Sequence, residues 1–345
     1  MPEIPETMRA LVLTGPDQLE LQEAPVPRPG PGQVLVRMAA SPVNPSDLMT
    51  VKGEYGGKPA FPVVPGLEGS GTVVVAGAGL MGRWMMGRRV ALATGIGGLW
   101  AEYAVVDAAR AIPLPAGVSL GAGAMSAVNP LTAIALVALA TKGGHRAVVS
   151  TGAGGQLGRM IRKRAKARGV KVINIVRRAE QVAALEAEGA RHVLNSSDAR
   201  FEADLEQLCR DLRCRMAFDA VGGEMTGRLA EALAPRSEIL VYGALEQAPV
   251  RLHPGTMIFR EVTVSGFWLS KWLPRRPLPL MLWYAREATQ ALKGGFAVSE
   301  VARIVPLDDA GAGIAAYAEA MSAGKTLIRL SDDALGVEPA PRSAP

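Results

Sequence analysis

The sequence predicts an α/β protein in which a strand-rich, barrel-like domain is joined to a doubly wound parallel sheet. Three observations carry this. Short Val-rich runs bounded by turn residues fill positions 8–110. Strand and helix patterns alternate from about residue 146 to 242. A Gly-rich turn stands at the first strand-to-helix junction of that alternation. The 345 residues suit about two domains, and 49% hydrophobic residues supply material for a sizeable core.

In the first part, Met8–Thr14 is apolar and runs into Gly-Pro-Asp. Gln33–Ala39 alternates at period two, and Gly69–Ala76 and Arg88–Ala93 are Val-rich runs bounded by Gly. Residues 121–140 are the most apolar stretch and predict one buried helix, although Asn129, Pro130 and Thr132 interrupt it. Then come strand Arg146–Ser150, a long helix to Arg168, strand Lys171–Val176, helix Ala179–Glu188 and strand Arg191–Leu194. After another helix follow strand Met216–Ala220, helix Glu224–Ala234 and strand Glu238–Tyr242. A helix over 280–293 precedes Gly294–Gly295. Strand Val301–Pro306, helix Ala310–Ala323 and strand Thr326–Leu330 close the pattern. The Pro- and Ala-rich tail after Ser331 is expected to be mobile.

Composition excludes several classes. Lys and Arg exceed Asp and Glu by 38 to 32, but the cations are spread out and no nucleic-acid-binding module is present. The N-terminus lacks a secretory pattern, and no apolar run reaches the ~18 residues of a membrane span. Two cysteines, Cys209 and Cys214, imply no disulfide framework and fit a reducing, cytoplasmic setting.

The turn reads Ser150-Thr-Gly-Ala-Gly-Gly-Gln-Leu-Gly158, with Gly152, Gly155 and Gly158 at three-residue spacing. Glycines let the backbone approach a pyrophosphate, and the helix that follows offers free N–H groups and a positive dipole end. A carboxylate at the end of the next strand would favour NAD. Here the strand ends in Arg177 and Arg178, which can grip a 2′-phosphate, so NADPH is the expected cofactor.

Several stretches in order resemble the zinc-independent medium-chain dehydrogenase/reductases, in particular the mitochondrial-type trans-2-enoyl-CoA/ACP reductases. They include Asn44-Pro-Ser-Asp47, Gly53-Glu-Tyr55-Gly, Pro65-Gly-Leu-Glu-Gly69, Gly98-Leu-Trp100-Ala-Glu and Val128-Asn129-Pro-Leu-Thr132. Further along stand Val172-Ile-Asn-Ile-Val-Arg177, Ala220-Val-Gly-Gly223, Val241-Tyr-Gly243 and Gly266-Phe-Trp-Leu-Ser-Lys-Trp272. The resemblance implies a GroES-like domain over 1–125 and 275–345 and a Rossmann domain over 126–274.

It also implies roles. Tyr55, with Asn44, falls at the catalytic position, where the tyrosine gives the proton. Asn129 falls near the nicotinamide and Gly154, Gly155, Gln156 and Leu157 on the pyrophosphate loop, with Thr132, Gly152 and Gly158 as further cofactor-binding positions. Arg177 and Arg178 fall on the 2′-phosphate site. Tyr242, Gly243, Ala244 and Leu245, then Phe267, Trp268, Leu269 and Ser270, fall on segments lining cofactor and acyl pocket. Lys325 falls on a late lysine that reaches the cofactor.

Three features depart from that pattern. The loop carries Gly154-Gly155-Gln156 where Asn-Ser-Gly is usual. Ala179 replaces the second Arg of an Arg-Asp-Arg trio, with Arg178 at its Asp. No transit segment is evident. The Cys and His ligands of zinc-dependent relatives are missing at 44–47 and 66–68, and His145, His192 and His253 are scattered, so no metal is expected.

The implied reaction is hydride transfer to the β-carbon of an α,β-unsaturated thioester and protonation of the α-carbon, for which a tyrosine hydroxyl (pKa ~10 unperturbed) remains a proton donor at neutral pH. A quinone oxidoreductase or general enone reductase shares the fold and remains open. So does a silent NADPH-binding protein, although Tyr55 and the glycine loop are both present. Family analogy suggests a homodimer through edge strands, with Glu238–Leu245 and Glu261–Gly266 as candidates.

Overall fold

The computed structural model describes residues 4–56, 60–95, 97–294, 296 and 299–340. The chain divides into two compact units, Met1–Pro130 with Leu278–Pro345, and Leu131–Pro277.

The first unit is built on antiparallel strands. β1 (Thr7–Gly15) and β2 (Gln18–Pro25) form a hairpin. A second sheet holds β3 (Gln33–Pro42), β4 (Glu68–Ala76), β5 (Arg89–Ala93), β6 (Tyr103–Asp107) and β7 (Ile112–Pro113). Beyond the second unit, which carries β8–β13, the chain returns to this sheet with β14 (Val301–Pro306) and β15 (Lys325–Arg329). β3 is long enough to serve two partners on one edge: Gln33–Arg37 pair with β6, and Ala40–Pro42 with β15. Its apolar residues Val34, Val36 and Met38 pack with Val73, Val90, Leu92 and the fully buried Trp100.

In the second unit, β8 (Ala147–Ser150), β9 (Lys171–Val176), β10 (His192–Asn195), β11 (Met216–Asp219), β12 (Glu238–Val241) and β13 (Thr263–Gly266) are all parallel. Their order is β10-β9-β8-β11-β12-β13. The direction of winding reverses between β8 and β11, the point where open α/β sheets receive ligands beyond their carboxyl ends. Val149, Ile173, Ala217 and Ile239 alternate onto one face and pack on Phe201, Leu205 and Leu229 of the crossover helices.

The helix Phe201–Asp211 ends in a left-handed residue, Arg213, at φ 50°. Cys214 N–H donates to the Cys209 carbonyl at 2.7 Å, and Arg213 N–H to the Arg210 carbonyl at 3.1 Å. This paired arrangement is the Schellman cap, whose flanking positions normally hold two apolar side chains in contact. Here those positions are the two buried, free thiols of Cys209 and Cys214.

The structure corrects three expectations. The single helix over 121–140 is two, Leu120–Ala124 and Val128–Lys142, because the Glu68 carboxylate accepts from Val128 N–H and starts the second one afresh. Glu238–Leu245 is not an edge, since β12 lies between β11 and β13; only the Glu261–Gly266 candidate holds an edge strand, β13. The tail does not hang loose over residues 332–340, and residues 341–345 lie outside the described residues. Leu335 is buried, Ala340 N–H donates to the Val301 carbonyl at 2.7 Å, and Asp333 pairs with Arg37 at 2.9 Å. Gly57, which flanks Tyr55 in the sequence, and Gly295 of the Gly294–Gly295 helix stop lie outside the described residues.

Candidate active site

The glycine turn leaves β8 at Thr151 and enters the helix Gln156–Ala167 through Gly155. Gly152 takes a left-handed conformation, φ 59°. Gly158 must be glycine for a packing reason: a Cβ there would stand 2.5 Å from the Ala153 carbonyl oxygen. No side chain caps Gly155 and the first helical turn carries no acid, so its N–H groups and dipole face outward for an anion. Arg162 donates back to the Ala153 carbonyl at 2.5 Å and clamps the turn from behind.

A buried network fixes the turn. Asp219, at the end of β11, accepts from Thr151 Oγ1 at 2.7 Å, from Val221 N–H at 2.9 Å and from Thr226 Oγ1 at 2.7 Å. Thr151 Oγ1 in turn accepts Ala220 N–H at 2.8 Å. Sequence reasoning treated Asp219 as a strand residue only. The signal available was its position, a carboxylate ending an apolar strand directly before Ala-Val-Gly-Gly.

The turn after β12 lies against the same corner. Tyr242 N–H donates to the Asp219 carbonyl at 2.8 Å, and Leu245 N–H to the Ala220 carbonyl at 3.2 Å. A Cβ on Gly243 would meet the Ala220 oxygen at 2.6 Å, and one on Gly152 would touch Leu245. Burial, with the Asp219 carboxylate nearby, raises the Tyr242 hydroxyl above its ordinary pKa. The predicted positions 152–158 and 242–245 therefore meet at one corner of the sheet. Phe267 follows β13 and is bound to the Val241 carbonyl at 2.8 Å. Its ring lies 5.4 Å from that of Trp272, with Trp268, Leu269 and Ser270 half-buried between them in the chain.

At the end of β9, Arg177 and Arg178 are exposed. Arg178 Nε donates to Glu180 Oε1 at 2.5 Å, so a carboxylate shares that guanidinium. The residues present fit an NADPH molecule: an uncapped helix start behind glycines for the pyrophosphate, and two exposed guanidiniums one strand away.

The other predicted residues lie in or beside the strand-rich unit. Tyr55 is half-buried in the turn after the helix Pro45–Val51, flanked by Gly53 (φ 74°) and Gly56 (φ 70°). Asn129 is half-buried and Thr132 buried, one turn apart at the start of the helix Val128–Lys142.

Asn44 is engaged in a buried polar cluster. Its amide Nδ2 donates to Glu68 Oε1 at 3.0 Å, and its Oδ1 accepts from Lys325 Nζ. Asp47 accepts Asn44 N–H at 2.9 Å and Leu67 N–H at 3.0 Å, and the second Glu68 oxygen accepts Val128 N–H at 2.8 Å. Burial pushes the Asp47 carboxyl up to about 7, with Glu68 adding to the rise and the backbone N–H bonds and Lys325 opposing it. The same burial raises Glu68 and lowers Lys325. Asp47, Glu68 and the lysine's place in this cluster were missed from sequence.

Zinc does not fit here. The donor set offers an amide and two carboxylates, no thiol or imidazole, and an ammonium already supplies the positive charge. Among the described residues, no group of three His, Cys, Asp or Glu side chains could hold a metal ion.

A doubly wound sheet with an anion-ready glycine turn, joined to a strand-rich unit split around it, defines a two-domain oxidoreductase of the dehydrogenase type. Residues 30–116 match the alcohol dehydrogenase GroES-like domain, and residues 157–282 the zinc-binding dehydrogenase domain. The chain is 30% identical over 264 residues to the mitochondrial enoyl-[acyl-carrier-protein] reductase of Bos taurus, a match covering 74% of this chain and 69% of that protein. A solved structure described as an NADPH:quinone reductase from Mesorhizobium loti is 36% identical, with a TM-score of 0.87 over 95% of this chain and 99% of that one. A mycobacterial protein solved with NADPH is 26% identical, with a TM-score of 0.78 over 93% and 99%. The chain belongs to the medium-chain dehydrogenase/reductase superfamily.

Proposed function

We propose that the chain reduces the activated C=C bond of a 2-enoyl thioester with NADPH. The observation that carries this reading is Tyr55, held in a glycine-flanked turn of a chain 30% identical to an enoyl reductase. NADPH, when bound, supplies the hydride that the β-carbon receives. Charge then moves onto the thioester oxygen, and Tyr55 delivers the proton to the α-carbon. The glycine turn and the start of its helix hold the pyrophosphate, Arg177 and Arg178 take the 2′-phosphate, and Asn129 and Thr132 position the nicotinamide. Tyr242–Leu245 and Phe267–Ser270 line cofactor and acyl chain. Lys325 and Asn44 act from the buried cluster behind Asp47 and Glu68. With zinc chemistry set aside by the donor set, hydrogen bonds alone polarise the carbonyl, which demands an alkene already activated by that carbonyl.

A second reading, NADPH:quinone or enone reduction, is favoured by the 36% identity to the Mesorhizobium loti protein. NADPH oxidation offered a 2-enoyl-CoA series, an ortho-quinone and a simple enone, with NADH as control, separates them. Enoyl turnover that collapses in Tyr55→Phe supports the first reading. Quinone turnover alone, unchanged in Tyr55→Phe, supports the second.

The exposed edge of β13 beside exposed Met257, Ile258 and Phe259 suits a homodimer formed by continuing the sheet into a second copy. Among the described residues no helix is long and apolar enough to cross a membrane. Both cysteines are free, as a cytoplasmic setting would keep them.

A further inference from the structure

Residues 262–286 contain Lys271, Arg275, Arg276 and Arg286 and not one Asp or Glu. Elsewhere in the same unit several exposed arginines are paired, Arg200 with Asp204, Arg210 with Glu206, Arg236 with Glu261 and Arg251 with Glu224, although among the described residues Arg177, Arg191, Arg213 and Arg215 are not. Among the described residues, no carboxylate pairs with Lys271, Arg275 or Arg276. Two of the three are instead set on indole faces. Lys271 Nζ lies 4.6 Å from the Trp268 ring centroid, and Arg276 Cζ lies 4.6 Å from that of Trp272. Arg276 Nε also donates to the Trp272 carbonyl at 3.3 Å. Ring platforms hold cations in place without neutralising them, so this is an ordered, uncompensated positive surface.

Its place in the fold says which anion it is not for. The segment leaves β13 at the carboxyl edge of the sheet, the edge that also carries the glycine turn. Arg177 and Arg178 leave β9, and β9 and β13 are separated by β8, β11 and β12. Four strand spacings of ~4.8 Å put the carboxyl ends of β9 and β13 about 19 Å apart, and those of β8 and β13 are three spacings apart. The segment thus departs from the sheet well away from the strand ends assigned to the 2′-phosphate and the pyrophosphate. A second phosphate-bearing molecule remains.

We propose that Lys271, Arg275 and Arg276 bind the nucleotide phosphates of a coenzyme A thioester, so that the enoyl substrate arrives on coenzyme A. The proposal rests on the enoyl-thioester reading. It adds the carrier and the residues that recognise it. Coenzyme A carries a pyrophosphate and a 3′-phosphate at the far end of a long pantetheine arm. Three cations spread over six residues match that charge, with guanidiniums suited to bidentate contact. The Phe267–Ser270 segment, assigned to the acyl pocket, precedes them directly in the chain.

The test compares one enoyl chain on coenzyme A and on N-acetylcysteamine, which lacks every phosphate. The full-length protein is used, with K271Q/R275Q/R276Q and the charge-reversed K271E/R275E/R276E. The expected result is a KM for the coenzyme A thioester raised at least tenfold, more in the reversed variant. The KM for the N-acetylcysteamine thioester and kcat stay within twofold, and NADPH affinity, read by fluorescence titration, is unchanged. Equal losses on both thioesters overturn the proposal, because the segment would then shape the acyl pocket only. An unchanged KM for coenzyme A overturns it, as does a loss confined to a thioester on an acidic carrier protein. Calorimetric titration with free coenzyme A keeps the two claims apart. Binding that the variants lose, without turnover of any thioester, retains the site and removes the reaction. Turnover of both thioesters without binding of free coenzyme A retains the reaction and removes the site.

Discussion

Glu68 accepts the backbone N–H of Val128 at 2.8 Å, across 60 residues of chain. One carboxylate thereby starts the helix on whose first turn Asn129 and Thr132 stand, and its other oxygen holds Asn44. Glu68 is in this sense a positioning residue for groups assigned to the cofactor.

Replacing Glu68 by Ala leaves Val128 N–H and Asn44 Nδ2 without their acceptor and removes one of the two carboxylates beside the buried Lys325 ammonium. Breaking such a pair costs about 3–5 kcal/mol. Denaturant unfolding of Glu68→Ala should show a loss of that order, and Glu68→Gln, which keeps one acceptor and the shape, a smaller one. Equal, near-zero losses for both would deny the cluster a structural role.

Asp47 sets a pH dependence of defined sign. Its carboxyl titrates near 7 in the folded protein and near 4 when unfolded. Between these values the folded state binds more protons, so this group's contribution to stability falls as pH rises from about 4 to about 7. Asp47→Asn should remove that slope, on the order of 1–3 kcal/mol across the window. The midpoint of urea unfolding, compared between wild type and variant at pH 5 and pH 8, reads it directly. A difference that widens with pH in the opposite sense would contradict the assignment.

Gly158→Ala forces a methyl into the Ala153 carbonyl, 2.5 Å away. The turn must shift, at a cost of about 1–3 kcal/mol. The expected outcome is NADPH affinity lowered tenfold or more. An NADPH titration matching wild type would show that the turn does not hold the pyrophosphate.

Arg178 is shared with Glu180, while Arg177 stands exposed beside it. Charge reversal of both should raise KM for NADPH at least tenfold and leave KM for NADH nearly unchanged. Glu180→Gln removes the carboxylate charge that shares Arg178 and should sharpen the preference for NADPH. Steady-state kinetics with the two dinucleotides decides this, and parallel losses on both would move the 2′-phosphate elsewhere.

Much of this was legible in sequence where the signal is local. The glycine turn announced itself because its strand, its glycines and its helix are contiguous, and the alternation of strand and helix through β8–β12 gave the parallel sheet. What failed depended on partners far along the chain. The cluster of Asn44, Asp47, Glu68 and Lys325 joins residues up to 281 positions apart. The break between Leu120–Ala124 and Val128–Lys142 is caused by Glu68, which no window around residue 125 contains. β12 carries the same apolar character as an edge strand, and only the sheet order places it inside. The packed tail escaped notice because Leu335, a deeply buried anchor among many Pro and Ala, carries no periodicity.

The thiol-bearing helix cap gives the molecule a built-in stopwatch. Both thiols of the chain sit at a single Schellman turn of the sheet unit, and the strand-rich unit has no cysteine. A chromogenic thiol reagent added to the native protein can therefore react only when that turn opens. Its rate reports how often the sheet unit breathes, and any slowing of that rate by added nucleotide measures, without turnover, how firmly that ligand stabilises it.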